Sequence, residues 1–523
     1  FLSDAGAEGI TGPNGLQATA TATRADAQRL DVGLLTYDPA AAADDSEGLS
    51  DLAFRQYYPE GFANDRSSTF VPITNFTNQD ARVVVIARYE DPSIPIRDQV
   101  IFDGTVAANT RSPDALTVTT PDLYSAGSDT NVFNPVSGLA DGVFKDTPYA
   151  LEIRSSVPVT ATMSHFDFGF STGEAFSGTA SELWSFASVS IGQGSNDFVT
   201  FVNTTGEVTK VSMFLFPLTG SGGGSGAGQA TEIVYTLDGY RRGGWNLNAE
   251  LNSGLLAGQI QPGEYGVTLI ASEPIVAAAS SFNNAGGSAQ IGEPNLGATQ
   301  GAIAEGQIGL SSDSETISVF NSSSDEATVE LQFIFQNGGS IRQALDVASG
   351  RVSTLDVQDI ALFPSGEAYG VFYTSDQPVV VSSSTRGLGE ALSSSAANNA
   401  HSLWGFSEGF APLQGGQVDE YLRVYNPGTS DTLVEITFRF TDGSTETFRR
   451  VAGASRVSEF GLRQFISDVR FDAAAADGAT GVFYGFTVKS SSGIVAYQGR
   501  TDQFFGGSFG TLGIPLGIES VLA

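Results

Sequence analysis

The sequence has 523 residues, 41% of them apolar, with 62 glycines and no cysteine. This length is typical of about three to five domains rather than one, and the absence of cysteine excludes disulfides, thiolate metal sites and cysteine nucleophiles. The 58 acidic residues outnumber the 25 Lys and Arg and give a formal net charge of −33, which repels phosphate backbones, so we expect no nucleic-acid partner.

The chain begins with a segment, residues 1–50, that is rich in Ala, Gly, Thr and Asp. We expect it to be an extended N-terminal leader or a degenerate repeat unit. The first residue is Phe1 rather than Met, and no apolar stretch approaches the roughly 20 residues that span a bilayer. The sequence is therefore either a mature chain that has lost an export signal or a fragment of a longer one, and we expect no transmembrane segment and an extracellular or cell-surface location in a bacterium.

From residue 51 onward the sequence repeats itself four times. Three copies open with an apolar or aromatic strand followed by Glu-Gly, whereas the second copy keeps the aromatic residue at Trp184 and loses the Glu-Gly. That loss argues against a catalytic role for the glutamate. An apolar strand ending in Asn follows in every copy, at Asn75, Asn203, Asn321 and Asn426.

A polar turn after each Asn leads into a strand with apolar residues at alternate positions, which indicates one face in a core and the other in solvent. The residues predicted to face inward are Val83, Val85 and Ala87; Val211, Met213 and Leu215; Val329, Leu331 and Phe333; and Val434, Ile436 and Phe438. Later in each copy come an aromatic strand, a polar turn and a second apolar strand. Pro158, Pro274, Pro378 or Gly493 stands just after that turn, which predicts a hairpin that enters an edge strand.

The last copy carries the pattern most fully, in Glu408-Gly409, 421–427, 454–456 and 494–497. Here the sequence resembles a tandem repeat of unknown function that occurs in large exported bacterial surface proteins. The other three copies lack the Asn-Pro step of that repeat. The resemblance covers about residues 51 to 517, and it implies a bacterial surface protein with Ig-like sandwiches and no catalytic residues.

The predicted fold is therefore all-β, with four tandem Ig-like antiparallel β-sandwich domains behind an extended leader. The predicted boundaries are 1–50 for the leader, then 51–180, 181–300, 301–400, and 401–523 with a C-terminal extension. The short polar linkers favour a rod in which the repeats are rigid spacers.

Calcium is the metal that the composition favours, because oxygen ligands are abundant and soft ligands are absent. The best local cluster is Asp122, Asp129, Asn131 and Asp141, although its spacing matches no calcium loop. We expect no other cofactor.

Three of the recurring asparagines, Asn75, Asn203 and Asn321, begin N-glycosylation sequons. Asn426 keeps the same position in the repeat without a sequon. This favours a structural role, in which the side chain caps a turn at the end of the strand, over glycosylation.

Ser508 lies in a Gly-x-Ser-x-Gly string, the sequence of a nucleophile elbow. The chain has only two histidines, His165 and His401, and no helix is evident after the serine. A glycine-rich β-turn is therefore the favoured interpretation.

Adjacent acids such as Asp419 and Glu420 are expected on a solvated surface, because the chain contains 58 acidic residues. Trp184 and Trp404 open their copies beside an aromatic strand. We expect them to pack in a core rather than to stack on sugars.

The leading hypothesis for function is a non-catalytic structural subunit of an extracellular bacterial filament, sheath or surface layer. It would form a homopolymer through sandwich edges and terminal segments, and either the N-terminal leader, residues 1–50, or the apolar C-terminal segment 510–523 would make the main contact with a neighbour. The alternative is a surface adhesin or carbohydrate-binding module that recognises a surface glycan. An enzyme would require a catalytic part outside this chain.

Overall fold

A computed structural model describes residues 10–11, 17–18, 49, 51–64, 67–92, 99–112, 116–118, 143–144, 146–167, 170–192, 194–219, 230–283, 286–308, 314–387, 390–415, 418–502, 507–516 and 519–520. Nearly all regular structure in these ranges is strand arranged in antiparallel sheets, which confirms the all-β fold class. Within the described ranges, no helix is long and apolar enough to cross a membrane.

The first unit follows a short strand pair, β1 (Ile10–Thr11) and β2 (Gln17–Ala18). Its strands are β3 (Phe54–Tyr58), β4 (Ser68–Val71), β5 (Ile73–Asn75), β6 (Ala81–Tyr89), β7 (Gln99–Val106), β8 (Thr110–Arg111), β9 (Leu116–Val118), β10 (Tyr149–Ser155), β11 (Thr160–Asp167) and β12 (Phe170–Ala175). They form two sheets, one in the order β3-β10-β6-β7 and the other built around β11.

The other three units repeat this plan. Unit 2 contains β13 (Ser181–Ile191), β14 (Asn196–Asn203), β15 (Thr209–Pro217), β16 (Thr231–Leu237), β17 (Arg242–Asn246), helix α1 (Leu247–Ser253), β18 (Gly263–Asn283) and β19 (Gly286–Ile291). Unit 3 contains β20 (Ala298–Ile303), β21 (Ser314–Asn321), β22 (Ala327–Phe335), β23 (Ser340–Val347), β24 (Arg351–Asp356), β25 (Tyr369–Gly387) and β26 (Glu390–Ser395). Unit 4 contains β27 (Ala400–Phe406), β28 (Phe410–Pro412), β29 (Val418–Asn426), β30 (Thr432–Phe440), β31 (Thr445–Ala452), β32 (Arg456–Gly461), helix α2 (Asp468–Ala476), β33 (Gly481–Asp502), β34 (Gly507–Leu512), β35 (Ile514–Pro515) and β36 (Glu519–Ser520).

The predicted inward faces are confirmed in all four units, and alternation of buried with more exposed residues is confirmed in units 2, 3 and 4. The twelve residues predicted to face inward are buried, and in unit 3 Glu330 is exposed between them. The pattern is less regular in unit 1 because Val84 and Ile86 are also buried, under Leu49 and Leu52. An apolar cover from the N-terminal side therefore hides the second face of β6.

The predicted hairpin in the second half of each copy is wrong. In unit 1 the two strands, β10 and β11, pair in different sheets and not with each other, and in units 2, 3 and 4 one continuous strand replaces the hairpin. The first half of β18 pairs with β15 and its second half pairs with β14, with no pairing at Pro274 between them. β25 and β33 cross between their sheets in the same way, at Pro378 and Gly493. Proline is tolerated there because its backbone lacks a donor and the ladder needs none at the crossing.

Each unit is thus a sandwich of two sheets with a cluster of buried apolar side chains between them. In units 2, 3 and 4 the longest strand joins the two sheets, whereas in unit 1 β10 and β11 are separate strands, one in each sheet. We call the sheet with the exposed hairpin (β6–β7, β15–β16, β22–β23 or β30–β31) the hairpin sheet. The other, which ends in β12, β19, β26 or β34, is the axial sheet.

The four units close into a ring. The last strands of the axial sheets pack around a common axis, in the cyclic order β12, β19, β26, β34. Glycines allow this close approach, since a Cβ added to Gly173 or Gly287 would stand 2.8 Å from atoms of Met163 or Thr172. The ring closes where Ser407 of unit 4 donates to Thr160 of unit 1 over 2.6 Å. The expected rod of spacers is therefore wrong, because unit 4 returns to contact unit 1.

The C-terminal segment, expected to pack on a neighbouring molecule, pairs within its own unit. β34 lies beside β33, and β35 and β36 pair with β27. Ile514 is buried by this pairing, and Leu516 packs beside Gly405. Residues 507–516 therefore complete the fourth sandwich. Apart from β1, β2 and Leu49, the predicted leader lies outside the described residues.

Candidate binding site between the units

In units 1, 3 and 4 the opening strand brings its Glu-Gly step to the axial sheet of the next unit around the ring. Only glycine fits at the second position of this step, because the ring of Tyr149, Tyr369 or Tyr484 covers it and would collide with any side chain there. The amide of the same tyrosine donates to the glycine carbonyl over 2.9 Å in all three units. The preceding glutamate is thereby held at the junction between units.

The junction between units 3 and 4 is a buried ion pair. Nη1 of Arg423 donates to Glu305 over 2.6 Å, and the hydroxyl of Tyr421 donates to the same carboxylate over 3.1 Å. Arg423 also pairs with Glu459. Burial raises the pKa of Glu305, and the positive charge of Arg423 opposes that rise. The arginine therefore stabilises the ionised carboxylate inside the junction.

The junction between units 4 and 1 joins Glu408 to two arginines. Glu408 accepts from Arg500 over 2.9 Å and from the hydroxyl of Ser164 in unit 1. Arg111 of unit 1 stacks on Phe483, 5.0 Å from the ring centroid. Burial lowers the pKa of Arg111 to about 10, and the nearby Glu408 carboxylate opposes this.

Unit 2 lacks the opening glutamate, and the junction that it forms with unit 3 is apolar. Ser188 stands in place of the glutamate, and Val352 occupies the position on its sheet that Arg111 and Arg242 hold in units 1 and 2. Phe216 and Phe320 pack there with ring centroids 5.0 Å apart. Val457 holds the same position in unit 4, where Arg423 of β29 pairs with Glu305 instead.

The junction between units 1 and 2 combines an ion pair with a cavity. Nη1 of Arg242 pairs with Glu90, and its Nε donates to the carbonyl of Pro59 over 3.2 Å. Ser280 donates to Glu60 over 2.7 Å. Beside these groups lies a cavity of about 270 Å³, which we call the unit 1–2 cavity.

Aromatic side chains make up much of the wall of the unit 1–2 cavity. It is lined by Glu60, Gly61, Phe62, Glu90, Pro148, His165, Phe198, Arg242, Gly244, Trp245, Asn246 and Phe282. The Nδ1 atom of His165 lies 2.8 Å from the hydroxyl of Thr69. Burial lowers the pKa of His165 to about 4, so its imidazole is neutral at neutral pH. Burial also lowers the pKa of Arg242 to about 10, and its guanidinium stays charged.

Two smaller or more open spaces lie elsewhere in the ring. A cavity of about 60 Å³ between units 2 and 3 is lined largely by serines, with Asp197, Glu264 and Arg386. A cavity of about 240 Å³ at one end of the ring axis is lined by residues of all four units. It includes Glu174 and Glu293, and burial raises the pKa of each to about 7.

The predicted calcium cluster of Asp122, Asp129, Asn131 and Asp141 lies outside the described residues. Among the residues that the structure describes, no group of three or more Asp, Glu or His side chains could hold a metal ion together.

The structure argues against glycosylation of the folded chain at Asn75, Asn203 and Asn321. All three side chains are buried, and each Nδ2 donates to a carbonyl four residues later and to a second carbonyl. Asn426 makes the same contacts, at 3.0 and 3.1 Å. A sugar on Nδ2 would displace these bonds, so the interpretation as a turn cap is confirmed.

Ser508 lies within the strand β34 rather than in a turn, and no helix follows it within the described residues. Its hydroxyl donates to the carbonyl of Ala391 over 3.3 Å, between the axial strands of units 4 and 3. The expected turn is therefore wrong, because the glycines on either side allow close strand packing instead.

The remaining candidates are the two tryptophans and the adjacent acids, and the structure gives most of them a role in packing. Trp184 and Trp404 are buried, and each indole donates to a backbone carbonyl of its own unit, over 2.8 and 2.7 Å, as expected for core residues. Asp419 is exposed and Glu420 is buried, because neighbours in a strand point to opposite faces. The prediction of a solvated surface is therefore wrong for Glu420, whose carboxylate accepts from Tyr484 over 2.5 Å.

Sequence reasoning missed the arginines at the junctions. The available signal was the repeat itself, because Arg111 and Arg242 occupy equivalent positions beside the strand that ends in Asn. Val352 and Val457 hold this position in units 3 and 4, so the repeat carries the signal in the first two units only.

Comparisons with known proteins give distant likenesses only. No family model and no curated protein matched the sequence. A solved structure of Thermotoga maritima 1070 is 15% identical over 20% of this chain and 95% of its own, with a TM-score of 0.18. For the Anabaena sensory rhodopsin transducer the identity is 25%, over 17% of this chain and 89% of its own, with a TM-score of 0.16. A tetra-tandem repeat in the extending region of a large adhesion protein is 11% identical over 86% of this chain and 93% of its own, with a TM-score of 0.09. TM-scores this low carry no argument about function.

Proposed function

We propose that the chain is a non-catalytic structural subunit of an extracellular bacterial assembly, such as a filament, sheath or surface layer. The proposal rests on an apolar pair on the outside of unit 4. Leu433 and Val451 face each other across β30 and β31 and are 51% and 58% exposed. β31 is the edge of its sheet in the part of the chain that the structure describes, so its outer backbone groups can pair with another strand.

The apolar pair is particular to unit 4. The equivalent positions are Thr328 and Asp346 in unit 3 and Lys210 and Thr236 in unit 2. An exposed apolar pair beside an open edge is a liability unless it is covered. A second copy of the chain is the partner that we propose, because strand addition would cover both the edge and the apolar side chains.

Electron microscopy of the native protein tests this proposal. Ordered polymers are expected, and they should dissociate on chelation of divalent cations, because subunits with a net charge of −33 repel one another without counterions. The double variant L433T/V451D, which introduces the unit 3 residues, should remain folded by circular dichroism but form no polymer. L362S is the control, since Leu362 is 97% exposed elsewhere. Polymers in L433T/V451D like those of the parent would refute the proposal.

A second candidate is a surface adhesin or carbohydrate-binding module. The unit 1–2 cavity favours it, because aromatic walls with a few polar groups are typical of small-molecule sites. Binding of the monomer to a glycan array would support this candidate, and assembly without glycan binding would support the first.

A further inference from the structure

The exposed pair of Leu433 and Val451 lies beside the sheet edge β31, and an open polymer needs a second, different surface to receive it. If β31 paired with β31 of another copy, the contact would be symmetric and growth would stop at a dimer. A contact between two different surfaces leaves one of each kind at the ends of the assembly, so growth can continue. The receiving surface should therefore lie outside unit 4.

The hairpin sheets of units 1, 2 and 3 end in the strands β7, β16 and β23 within the described residues. Two of these edges are poor receivers. The pairing of β7 with β6 is irregular between Val85 and Ile86, and such a bulge blunts an edge. The exposed side chains of β23 include Arg342 and Asp346, charges of opposite sign, and no large apolar residue.

The edge β16 of unit 2 has the exposed apolar surface that β23 lacks. Val234 on this edge is 38% exposed, and Ile270 of β18 is 47% exposed. Both residues lie opposite Ser212 of β15, one on each side, so they share the outer face of the sheet. Unit 2 therefore carries an apolar row that reaches the open edge of its hairpin sheet.

The charges of β31 and β16 are complementary. β31 presents Arg449, whose side chain is 68% exposed although it pairs with Glu435, and the exposed Arg450 follows it. β16 presents the exposed Glu232 and contains no basic residue. Contact between a basic edge and an acidic edge reduces the repulsion between copies that each carry a net charge of −33.

The spacing of these residues matches along the two strands. Val451 follows Arg449 by two residues, and Val234 follows Glu232 by two residues. A parallel pairing that sets Val451 beside Val234 therefore also sets the two charges side by side. An antiparallel pairing that aligns the two valines would instead place Arg449 beside Thr236.

We propose that β31 of one copy adds in parallel to β16 of the next copy, where Leu433 and Val451 extend the apolar row of Val234 and Ile270. Units 2 and 4 lie on opposite sides of the ring, because the axial strands follow the cyclic order β12, β19, β26, β34. One copy can therefore bind a neighbour on each side. This inference rests on the proposed structural function, and it names the surface that the unit 4 pair binds.

Cysteine cross-linking tests the contact directly, because the chain contains no cysteine of its own. The variant V234C/V451C is allowed to assemble and is then oxidised. Denaturing electrophoresis should show a ladder of dimers, trimers and longer species, since residues on neighbouring strands are close enough for a disulfide. V451C alone should form no disulfide-linked dimer. V234C/L362C is the control and should give no ladder, because Leu362 is 97% exposed in unit 3.

Substitution of the receiving edge gives a second measurement. V234D places a charge where the apolar side chains meet, so it should raise the protein concentration needed for polymer formation by at least about tenfold. A344D introduces the same acid at the equivalent position of β23 and should assemble like the parent. Thermal unfolding of both variants separates loss of assembly from loss of fold.

The outcomes separate this inference from the proposed function. Ordered polymers in which V451C cross-links to itself, V234C/V451C gives no ladder, or V234D assembles like the parent would overturn the inference and leave the structural function standing. A parent protein that forms no polymer, together with no cross-link in V234C/V451C, would overturn both. A ladder from V234C/V451C and loss of assembly in V234D would support the contact between β31 and β16.

Discussion

The asparagine that ends one strand of each axial sheet holds the turn that follows it. In unit 4, Asn426 donates through Nδ2 to the carbonyls of Ser430 and Ala452, and its Oδ1 accepts from the amide of Gly428 over 2.9 Å. One buried side chain thus satisfies three backbone groups at a point where the strand ladder stops.

Replacement of this asparagine should be costly. We predict that N426A lowers the free energy of unfolding by about 2–4 kcal/mol, because buried backbone groups lose their partners. Chemical denaturation measures the change. S430A is the control and should be nearly neutral, since the Ser430 side chain is exposed and only its backbone carbonyl accepts the bond. An N426A variant with the same free energy of unfolding as the parent would refute the role of Asn426 as a turn cap.

Glu315 of β21 makes stability depend on pH. Burial raises its pKa from 4.5 to about 8; a bond to Tyr369 opposes this and the neighbouring Glu305 adds to it. The folded state therefore holds this proton more tightly than the unfolded chain. The contribution of Glu315 to the free energy of unfolding falls as pH rises from about 4.5 towards 8.

We predict that E315Q raises the free energy of unfolding at about pH 9 relative to the parent and changes it little at about pH 5, because glutamine stays uncharged. Denaturant titrations at the two pH values measure this difference. E330Q on the exposed face of β22 should show no such dependence on pH. Equal destabilisation by E315Q at both pH values would contradict the prediction.

At the scale of the element, the alternation along β22 decides which side chains build the core. Leu331 is fully buried between the sheets of unit 3, whereas Thr328 on the same strand is exposed. β22 also pairs on both sides, with β23 and with the first half of β25. Its register therefore fixes the core and the hairpin together.

We predict that L331A lowers the free energy of unfolding by about 2–5 kcal/mol, through lost burial and the cavity left behind. T328A on the same strand should change it by less than about 0.5 kcal/mol. Both values come from chemical denaturation of the whole chain. Similar effects of the two substitutions would mean that the assignment of inward-facing and outward-facing residues along β22 is wrong.

At the scale of the molecule, the ring is closed by contacts between units and not by the chain alone. The linker between units 2 and 3 includes Asn295 and Leu296, which are exposed. The units on either side are held by the apolar junction around Phe216 and Phe320, while units 4 and 1 are joined by Ser407 and Thr160.

We predict that a protease site inserted between Asn295 and Leu296 can be cleaved without loss of the ring. The two fragments should elute together at the volume of the intact protein and separate only in denaturant, because two junctions still join them. The uncleaved insertion protein is the control. Separation of the fragments under native conditions would show that the ring does not hold without the covalent linker.

Features that depend on neighbouring residues could be predicted from the sequence alone. The β fold, the inward faces of β6, β15, β22 and β30 and the capping asparagines follow from a period of two and from local turn chemistry. These patterns are the same whether a sandwich stands alone or in a ring.

The way in which the sandwiches meet could not be predicted, because it depends on contacts between residues far apart in the chain. Crossing strands such as β18 look like hairpins in sequence, because a proline marks a turn and a crossing equally. Arg423 and Glu305 are 118 residues apart, and the usual expectation places such charges on a solvated surface. They become a buried pair only when unit 4 packs against unit 3, because that packing brings the opening of one unit against the axial sheet of the next.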